Sequence, residues 1–219
     1  MLESPASWID WMGTDLKKVI EIAGRHIGHN LPAYIIAEIS ANHNQDVGEA
    51  NDLIRIAADC GVDAVKIQTY TPDTMTIDCE KEYFRIGEGS IWEGKNLYQL
   101  YGEAYTPWEW LPELQATATE AGLTLFSTPF DHSSVAFLEE HQVPAYKIAS
   151  FELTDHPLLE AVAKTGKPII LSTGMASLEE IAESVNVLQE NGCSDLVLLK
   201  CTSAYPATPN EANLARISH

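Results

Sequence analysis

The sequence predicts an α/β protein built on a parallel sheet, and three observations predict it. Six short apolar segments recur along the chain: YIIAEIS (34–40), AVKIQTY (64–70), TLFSTPF (124–130), AYKIASF (145–151), PIILSTG (168–174) and LVLLKCTSAYP (196–206). An amphipathic helical stretch follows most of them, and parallel neighbours need such crossover connections. Each segment also ends in a polar residue suited to phosphate or carboxylate. In an open doubly wound sheet, such residues cluster at one switch point. Here all six strand ends carry them, as in barrels, whose chemistry sits at the carboxyl ends of the strands. The predicted fold class is therefore a TIM (β/α)8-type barrel, of which the chain covers about the first six βα units.

The elements follow in order. Residues 1–17 have no clear period and read as a leader, with Trp8, Ile9, Trp11 and Met12 able to dock. Residues 18–219 read as one incomplete barrel domain. VIEIAGRHIG (19–28) reads as two short strands around Gly24. The first helix, at 47–60, puts Ala50, Leu53, Ile54, Ala57 and Ala58 on one side by i, i+3, i+4 spacing, with Gly61 at its end. A long insertion, 71–106, follows the second strand; its length marks it as functional, and its aromatic content argues against disorder. A helix over 107–121 has Pro107 in its first turn. SSVAFLEEHQ, HPLLEAVAKTG and SLEEIAESVNVLQENG follow strands three to five. Asp155 or Thr154 caps the second of these and Gly166 stops it. Ser177 and Glu180 form a capping box for the third. NEANLARIS can start a sixth helix.

The chain has 219 residues, with 13 Lys+Arg against 32 Asp+Glu, a formal charge of −19. Such a surface repels nucleic acid and anionic membranes, so neither is an expected partner. An anionic ligand then needs a local basic pocket. The four cysteines, at 60, 79, 193 and 201, form no CxxC pair and no zinc-finger spacing. Cys60 and Cys201 read as small buried hydrophobes. Without a signal peptide or disulfide framework the expected location is cytoplasmic.

Several residues carry chemistry. Glu38 ends the first strand and is suited to general-base work or to holding sugar hydroxyls. Asn42, His43 and Asn44 follow it in a loop where turn chemistry alone can account for them. Lys66 lies inside a strand of a parallel sheet, which is costly unless it meets a site or a partner. Alternation puts Gln68 on the same side as Lys66. Lys147 repeats the pattern. Lys147 and Ser150 differ in parity, so the strand must end or bend near Ala149 for both to reach one place. Two strand lysines suit a dianion receptor, although a Schiff-base lysine is a rival use. Thr128, Ser172 and Ser203 add hydroxyls at strand ends, and Tyr205 can pack on a substrate.

AEISANHNQ, DAVKIQTY, LFSTPFD, VPAYKIASFE, KPIILSTGMASLEEI and LLKCTSAYP, in this order, resemble the N-acetylneuraminate (sialic acid) synthase family over about residues 19–215. The insertion SIWEGKNLYQLYGEAYTPWEW is similar to that of the pseudaminic acid branch rather than the sialic or legionaminic acid branches. The resemblance implies a phosphoenolpyruvate-dependent transferase that joins phosphoenolpyruvate to an open-chain amino sugar. For this branch the sugar is 2,4-diacetamido-2,4,6-trideoxy-L-altrose, and the products are pseudaminic acid and phosphate, by C–O cleavage. It further implies Lys66, Thr128, Lys147, Ser150, Ser172 and Ser203 at phosphoenolpyruvate, Glu38 at the reacting centre and Tyr205 at the sugar. Gln68 and His43 are expected at the substrate as well, and the region of Trp92, Asn96 and Tyr98 in sugar selection. A divalent metal, Mn2+ or Mg2+, is implied, with ligands from family segments that this sequence does not contain. A homodimer is implied for the full-length family. The same comparison gives an expectation that this chain alone is inactive and poorly stable, because strands seven and eight and a C-terminal domain are not in it. The alternatives are a synthase of the two sister branches or a non-catalytic ligand-binding fragment.

Overall fold

The structure, a computed structural model, describes residues 16–87, 92–204 and 207–218. Those residues form two compact units, one from Tyr34 to Val143 and the other from the residues before and after it. The dockable residues of the expected leader, Trp8 to Met12, lie outside the described residues.

The unit from Tyr34 to Val143 holds three parallel strands in chain order: β3 (Ile36–Glu38), β4 (Ala64–Thr69) and β5 (Thr124–Pro129). Ala64 pairs with Ile36 on one side and with Thr124 on the other, which fixes the register of all three. Val65, Ile67, Leu125 and Phe126 are buried as the strands' core. Helix α1 (Val47–Asp59) is capped by Asp46, whose carboxylate accepts from the Glu49 N–H. Its buried side is Ala50, Asn51, Ile54 and Ala57. Leu53 and Ala58, expected there, are only half-buried. Asn51 belongs because it is satisfied: it donates to Glu113 at 2.7 Å and accepts from the Thr117 hydroxyl at 2.6 Å. A buried amide with partners is tolerated where a bare one is not.

The insertion is largely built structure in its described part. It contains α2 (Pro72–Met75), a 3₁₀ turn Glu82–Phe84 and α3 (Leu97–Ala104). Asn96 and Gln99 form a reciprocal capping box on α3. The expected helix over 107–121 begins instead as a 3₁₀ turn, Trp108–Trp110, and becomes α-helical only in α4 (Leu111–Glu120), with Pro112 in its first turn. Helix α5 (His132–Glu140) follows β5, capped by Asp131.

The second unit carries the hairpin β1 (Val19–Ile22) and β2 (Arg25–Gly28), antiparallel as expected. Ala23 and Gly24 both have positive φ, 48° and 82°, the combination a two-residue hairpin turn demands. Its parallel strands are β6 (Tyr146–Ile148), β7 (Ile169–Ser172) and β8 (Leu196–Leu199). Helix α6 (His156–Ala163) is capped by Asp155, and α7 (Leu178–Glu190) by the Ser177–Glu180 box. The two helices bury Leu158, Leu159, Val162, Val185 and Leu188. Ser184, buried among them, donates to the carbonyls of Leu153 and Glu180. Lys17 reaches the unit through an ion pair to Asp195 at 2.6 Å.

Three readings are corrected. Cys60 is exposed, because it is the C-cap residue of α1 rather than part of its buried side. Cys201 is half-buried and lies beyond β8, which ends at Leu199. The end of the chain forms 3₁₀ turns, Pro209–Glu211 and Leu214–Ser218, and not a sixth helix. Pro209 forms the first of these turns and Asn213, with φ 43°, precedes the second, so no continuous i→i+4 ladder runs through. Among the described residues, no helix is long and apolar enough to cross a membrane.

Candidate active site

In the first unit, the chemistry gathers at the carboxyl ends of β3, β4 and β5. Lys66 lies opposite Glu38 on one side and Phe126 on the other. Its side chain is buried, with 8% of the residue exposed, so its charge needs partners. It has two. Nζ forms an ion pair with Glu38 Oε2 and donates to Thr128 Oγ1 at 2.9 Å. Thr128 sits two residues past Phe126, the diagonal neighbour on the same side of the sheet, within reach of a long side chain. The other Glu38 oxygen accepts from the Ser40 N–H at 3.1 Å. Gln68, half-buried, lies opposite Thr128 in register. Ser127 has the other parity and does structural work, bonded to Thr69 at 2.6 Å and to the Ile67 carbonyl.

In the second unit, β6, β7 and β8 repeat the plan. Lys147 lies opposite Ile170, and its Nζ donates to Ser172 Oγ, two residues further, at 2.5 Å. The same ammonium donates to the Ile148 carbonyl at 2.6 Å. The parity problem is resolved as the sequence requires: β6 ends at Ile148, and Ser150 opens a 3₁₀ turn. Ser150 Oγ accepts from the Gly174 N–H at 3.1 Å. Around Gly174 the packing leaves no room for a side chain. A Cβ there would lie 2.8 Å from Ser150 Oγ, closer still to Ser203 Oγ, and 3.4 Å from Cys201 Cβ. Lys147, Ser150, Ser172 and Ser203 thus belong to one connected group in this unit. Tyr205 lies outside the described residues.

Glu152 and Gly174 were not singled out from the sequence. Glu152 Oε2 is buried and has no hydrogen-bond partner among the described residues. Burial pushes its carboxyl above the usual range, and the Lys147 charge works against that shift without cancelling it. Such a group can hold a proton where an ordinary carboxylate cannot. Its only sequence signal was a carboxylate two residues past Ser150. Gly174 had a signal too, the Ser-Thr-Gly strand end, but the crowding that makes it necessary comes from residues 24 and 29 positions away.

His43 is 1% exposed, and both ring nitrogens are engaged within the protein. Nε2 lies 3.1 Å from Thr106 Oγ1, Nδ1 accepts from the Gln45 N–H at 3.2 Å, and the ring stacks edge-on against Trp110. An Nδ1 that accepts marks the neutral tautomer with the proton on Nε2. Burial lowers its pKa, against a smaller opposite pull from Glu49. Gln45 also donates to the Glu103 and Tyr105 carbonyls, so the loop after β3 is bonded to the end of the insertion. Ser40, Asn44 and Gln45 all have positive φ there, and such backbone persists only where surrounding bonds over-determine it. Within the insertion, Asn96 is buried as a cap and donates to Glu80 at 2.9 Å, Tyr98 donates to Asp73 at 3.0 Å, and Trp92 is exposed. Among the described residues, no group of three or more His, Cys, Asp or Glu side chains is arranged to hold a metal ion. The described residues therefore do not fit the divalent metal that the resemblance implies.

Comparison with known proteins bears on this geometry. A family described as the NeuB family matches residues 53–219. The chain is 44% identical over 183 residues to the pseudaminic acid synthase of Helicobacter pylori, covering 84% of this chain and 54% of that protein. It is 45% identical over 184 residues to the pseudaminic acid synthase of Campylobacter jejuni, covering 84% of this chain and 53% of that one. The chain thus spans about half the length of these relatives. Among solved structures, the N-acetylneuraminic acid synthetase of Leptospira borgpetersenii in complex with citrate is similar, with a TM-score of 0.79 and 32% identity over 94% of this chain and 67% of that one. That likeness bears out the TIM-barrel type of fold. With three-quarters of its length inside the family match, and with pseudaminic acid synthases among its relatives as the insertion suggested, the chain belongs to the NeuB family.

Proposed function

We propose that the chain carries the phosphoenolpyruvate-binding residues of a pseudaminic acid synthase. The observation that supports this best is the repeated Lys-to-hydroxyl diagonal. Lys66 with Thr128 in one unit, and Lys147 with Ser172 in the other, each present an ammonium and a hydroxyl at the carboxyl end of a parallel strand. Phosphoenolpyruvate has two anionic ends, a phosphate and a carboxylate, and both kinds of oxygen take charge-assisted bonds from such donors. Ser150 and Ser203 supply further hydroxyls beside Gly174. The relative solved with citrate is a family member able to hold a polycarboxylate.

In this reading C3 of phosphoenolpyruvate forms a bond to the aldehyde carbon of 2,4-diacetamido-2,4,6-trideoxy-L-altrose, and the aldehyde oxygen takes up a proton. Water adds at C2, loses a proton, and phosphate departs with its bridging oxygen. Lys66 and Lys147 each offer an ammonium to anionic oxygens. Glu38, at the end of β3 and steered by Lys66 and the Ser40 N–H, serves the reacting carbonyl. Glu152 holds or releases the proton exchanged during water addition. His43 positions the loop after Glu38, and Tyr205 and the insertion serve the sugar. A homodimer of the full-length protein belongs to the same proposal.

The test is phosphoenolpyruvate binding by calorimetry, followed by phosphate release with added Mn2+ and either the altrose sugar or N-acetylmannosamine. Binding is the expected result; release only for the altrose sugar would assign the pseudaminic acid branch and overturn the expectation that this chain alone is inactive. Release with N-acetylmannosamine alone moves the chain to the sialic acid branch. Binding without release leaves a ligand-binding role, and no binding at all refutes the site.

A further inference from the structure

We propose that Cys201 is a positioning residue that fixes Ser172 as a hydrogen-bond donor to the bound anion. The proposal rests on the reading of the Lys147–Ser172 group as part of a phosphoenolpyruvate site. Cys201 lies two residues beyond β8, half-buried, with Sγ 3.2 Å from Ser172 Oγ. On the same oxygen, Lys147 Nζ donates at 2.5 Å. Cys201 also lines the space at Gly174, where an added Cβ would lie 3.4 Å from its own Cβ. The thiol is thus in the group and acts on one member of it.

The consequence follows from counting lone pairs. A serine oxygen has two lone pairs and one hydrogen. The Lys147 ammonium has no lone pair, so it can only donate to Ser172. When the Cys201 S–H donates as well, both lone pairs are taken, and the Ser172 hydrogen is left to point elsewhere. A hydroxyl in that state is a donor, which is what a phosphate or carboxylate oxygen needs. Without the thiol, one lone pair is released and the hydroxyl can turn. An unbound hydroxyl that samples several rotations gives up part of its interaction with the anion as ordering entropy. Sulfur is a weak donor, so the effect is a bias on orientation rather than a source of binding by itself.

Phosphoenolpyruvate titration calorimetry on this chain, with thermal melts alongside, tests the idea in five forms: unaltered, C201A, C201S, S172A and C201A/S172A. One lost hydrogen bond of ordinary strength corresponds to a loss of affinity of about 3- to 10-fold, which is expected for C201A. C201S keeps a donor at the position and is expected to bind within about 2-fold of the unaltered chain. In the S172A background, C201A is expected to add nothing, because the thiol acts only through that hydroxyl. A packing role would instead lower the melting temperature and weaken binding equally in both backgrounds. Unchanged affinity in C201A, or an equal loss in the S172A background, overturns the proposal. Where S172A binds too weakly for the cycle, failure of C201S to restore what C201A loses overturns it alone. If the unaltered chain does not bind phosphoenolpyruvate, the site reading fails first and this inference with it.

Discussion

Replacing Gly174 by alanine separates the site from the fold more cleanly than any lysine change. Gly174 is absent from the residues with positive φ, so alanine brings no backbone strain. What it brings is one methyl group, placed 2.8 Å from Ser150 Oγ and nearer to Ser203 Oγ. Neither oxygen is part of the backbone, and each can leave by turning about χ1. The stability cost is therefore that of overpacking, about 1–3 kcal/mol. The functional cost is larger, because both hydroxyls turn away from the anion together. Bonds to charged groups contribute about 1.5–3 kcal/mol each, so losing one or both corresponds to an affinity loss of about 10-fold to about 10,000-fold. Calorimetry with phosphoenolpyruvate, paired with a thermal melt, reads both quantities. Gly61→Ala serves as the control: it has φ 77° and open space around its Cβ position, so it should cost about 1 kcal/mol of stability and no affinity. A G174A chain that binds as tightly as the unaltered one would show that Ser150 and Ser203 do not jointly hold the ligand.

Other expectations are shorter. Lys66→Ala or Lys147→Ala should weaken phosphoenolpyruvate binding by about 2–5 kcal/mol, since a buried charged donor is lost; normal binding in both variants would remove the lysines from the site. In a full-length version of the protein, Glu38→Gln should lower turnover more than phosphoenolpyruvate affinity, and unchanged turnover there would show that Glu38 is not catalytic. Because the folded-state pKa of Glu152 is raised, stability falls as pH rises from about 4.5 through that pKa. Glu152→Gln should therefore melt higher than the unaltered chain at pH 7, with the gap closing towards pH 5. For His43 the pKa is lowered, so the unfolded chain takes up the proton first and stability drops as pH falls below about 6.5. His43→Gln should flatten that part of the stability profile, measured by denaturant titration from pH 7 to pH 5.

Much of this arrangement was readable before the structure. The six strands and their helices follow from apolar runs punctuated by caps, and Asp155 and the Ser177–Glu180 box sit where the sequence put them. The two lysines were readable because a charge inside a parallel strand needs a partner, and both have one. What was not readable depends on tertiary neighbours. Asn51 on the inner side of α1 looks like an error until Glu113 and Thr117 supply its bonds from 62 and 66 residues away. Cys60 and Cys201 were misread because an apolar context says nothing about which residue ends an element. His43 looked like turn chemistry, yet Thr106 and Trp110 bury its ring from the far end of the insertion. Helix α3 was hidden by its aromatic residues, whose helix propensity is only middling; the Asn96–Gln99 cap was its one local signal.

The repeated diagonal also limits what kind of chemistry the lysines can perform. A Schiff-base lysine must offer a neutral amine with a free path to a carbonyl carbon. Lys66 instead meets a carboxylate, Glu38, and a threonine hydroxyl that accepts from it. Lys147 meets a backbone carbonyl and a serine hydroxyl, both of which also accept. Acceptors on each ammonium occupy its hydrogens and fix where they point. In both units the hydroxyl lies two residues towards the carboxyl end from the position opposite the lysine. Each ammonium is therefore drawn along its strand towards the end where the loops begin, and each hands a polarised hydroxyl further on. That arrangement suits holding an anion still while its carbon reacts. If borohydride trapped a carbonyl substrate on either lysine, this account of both would fail together, because the same pairing geometry supports both.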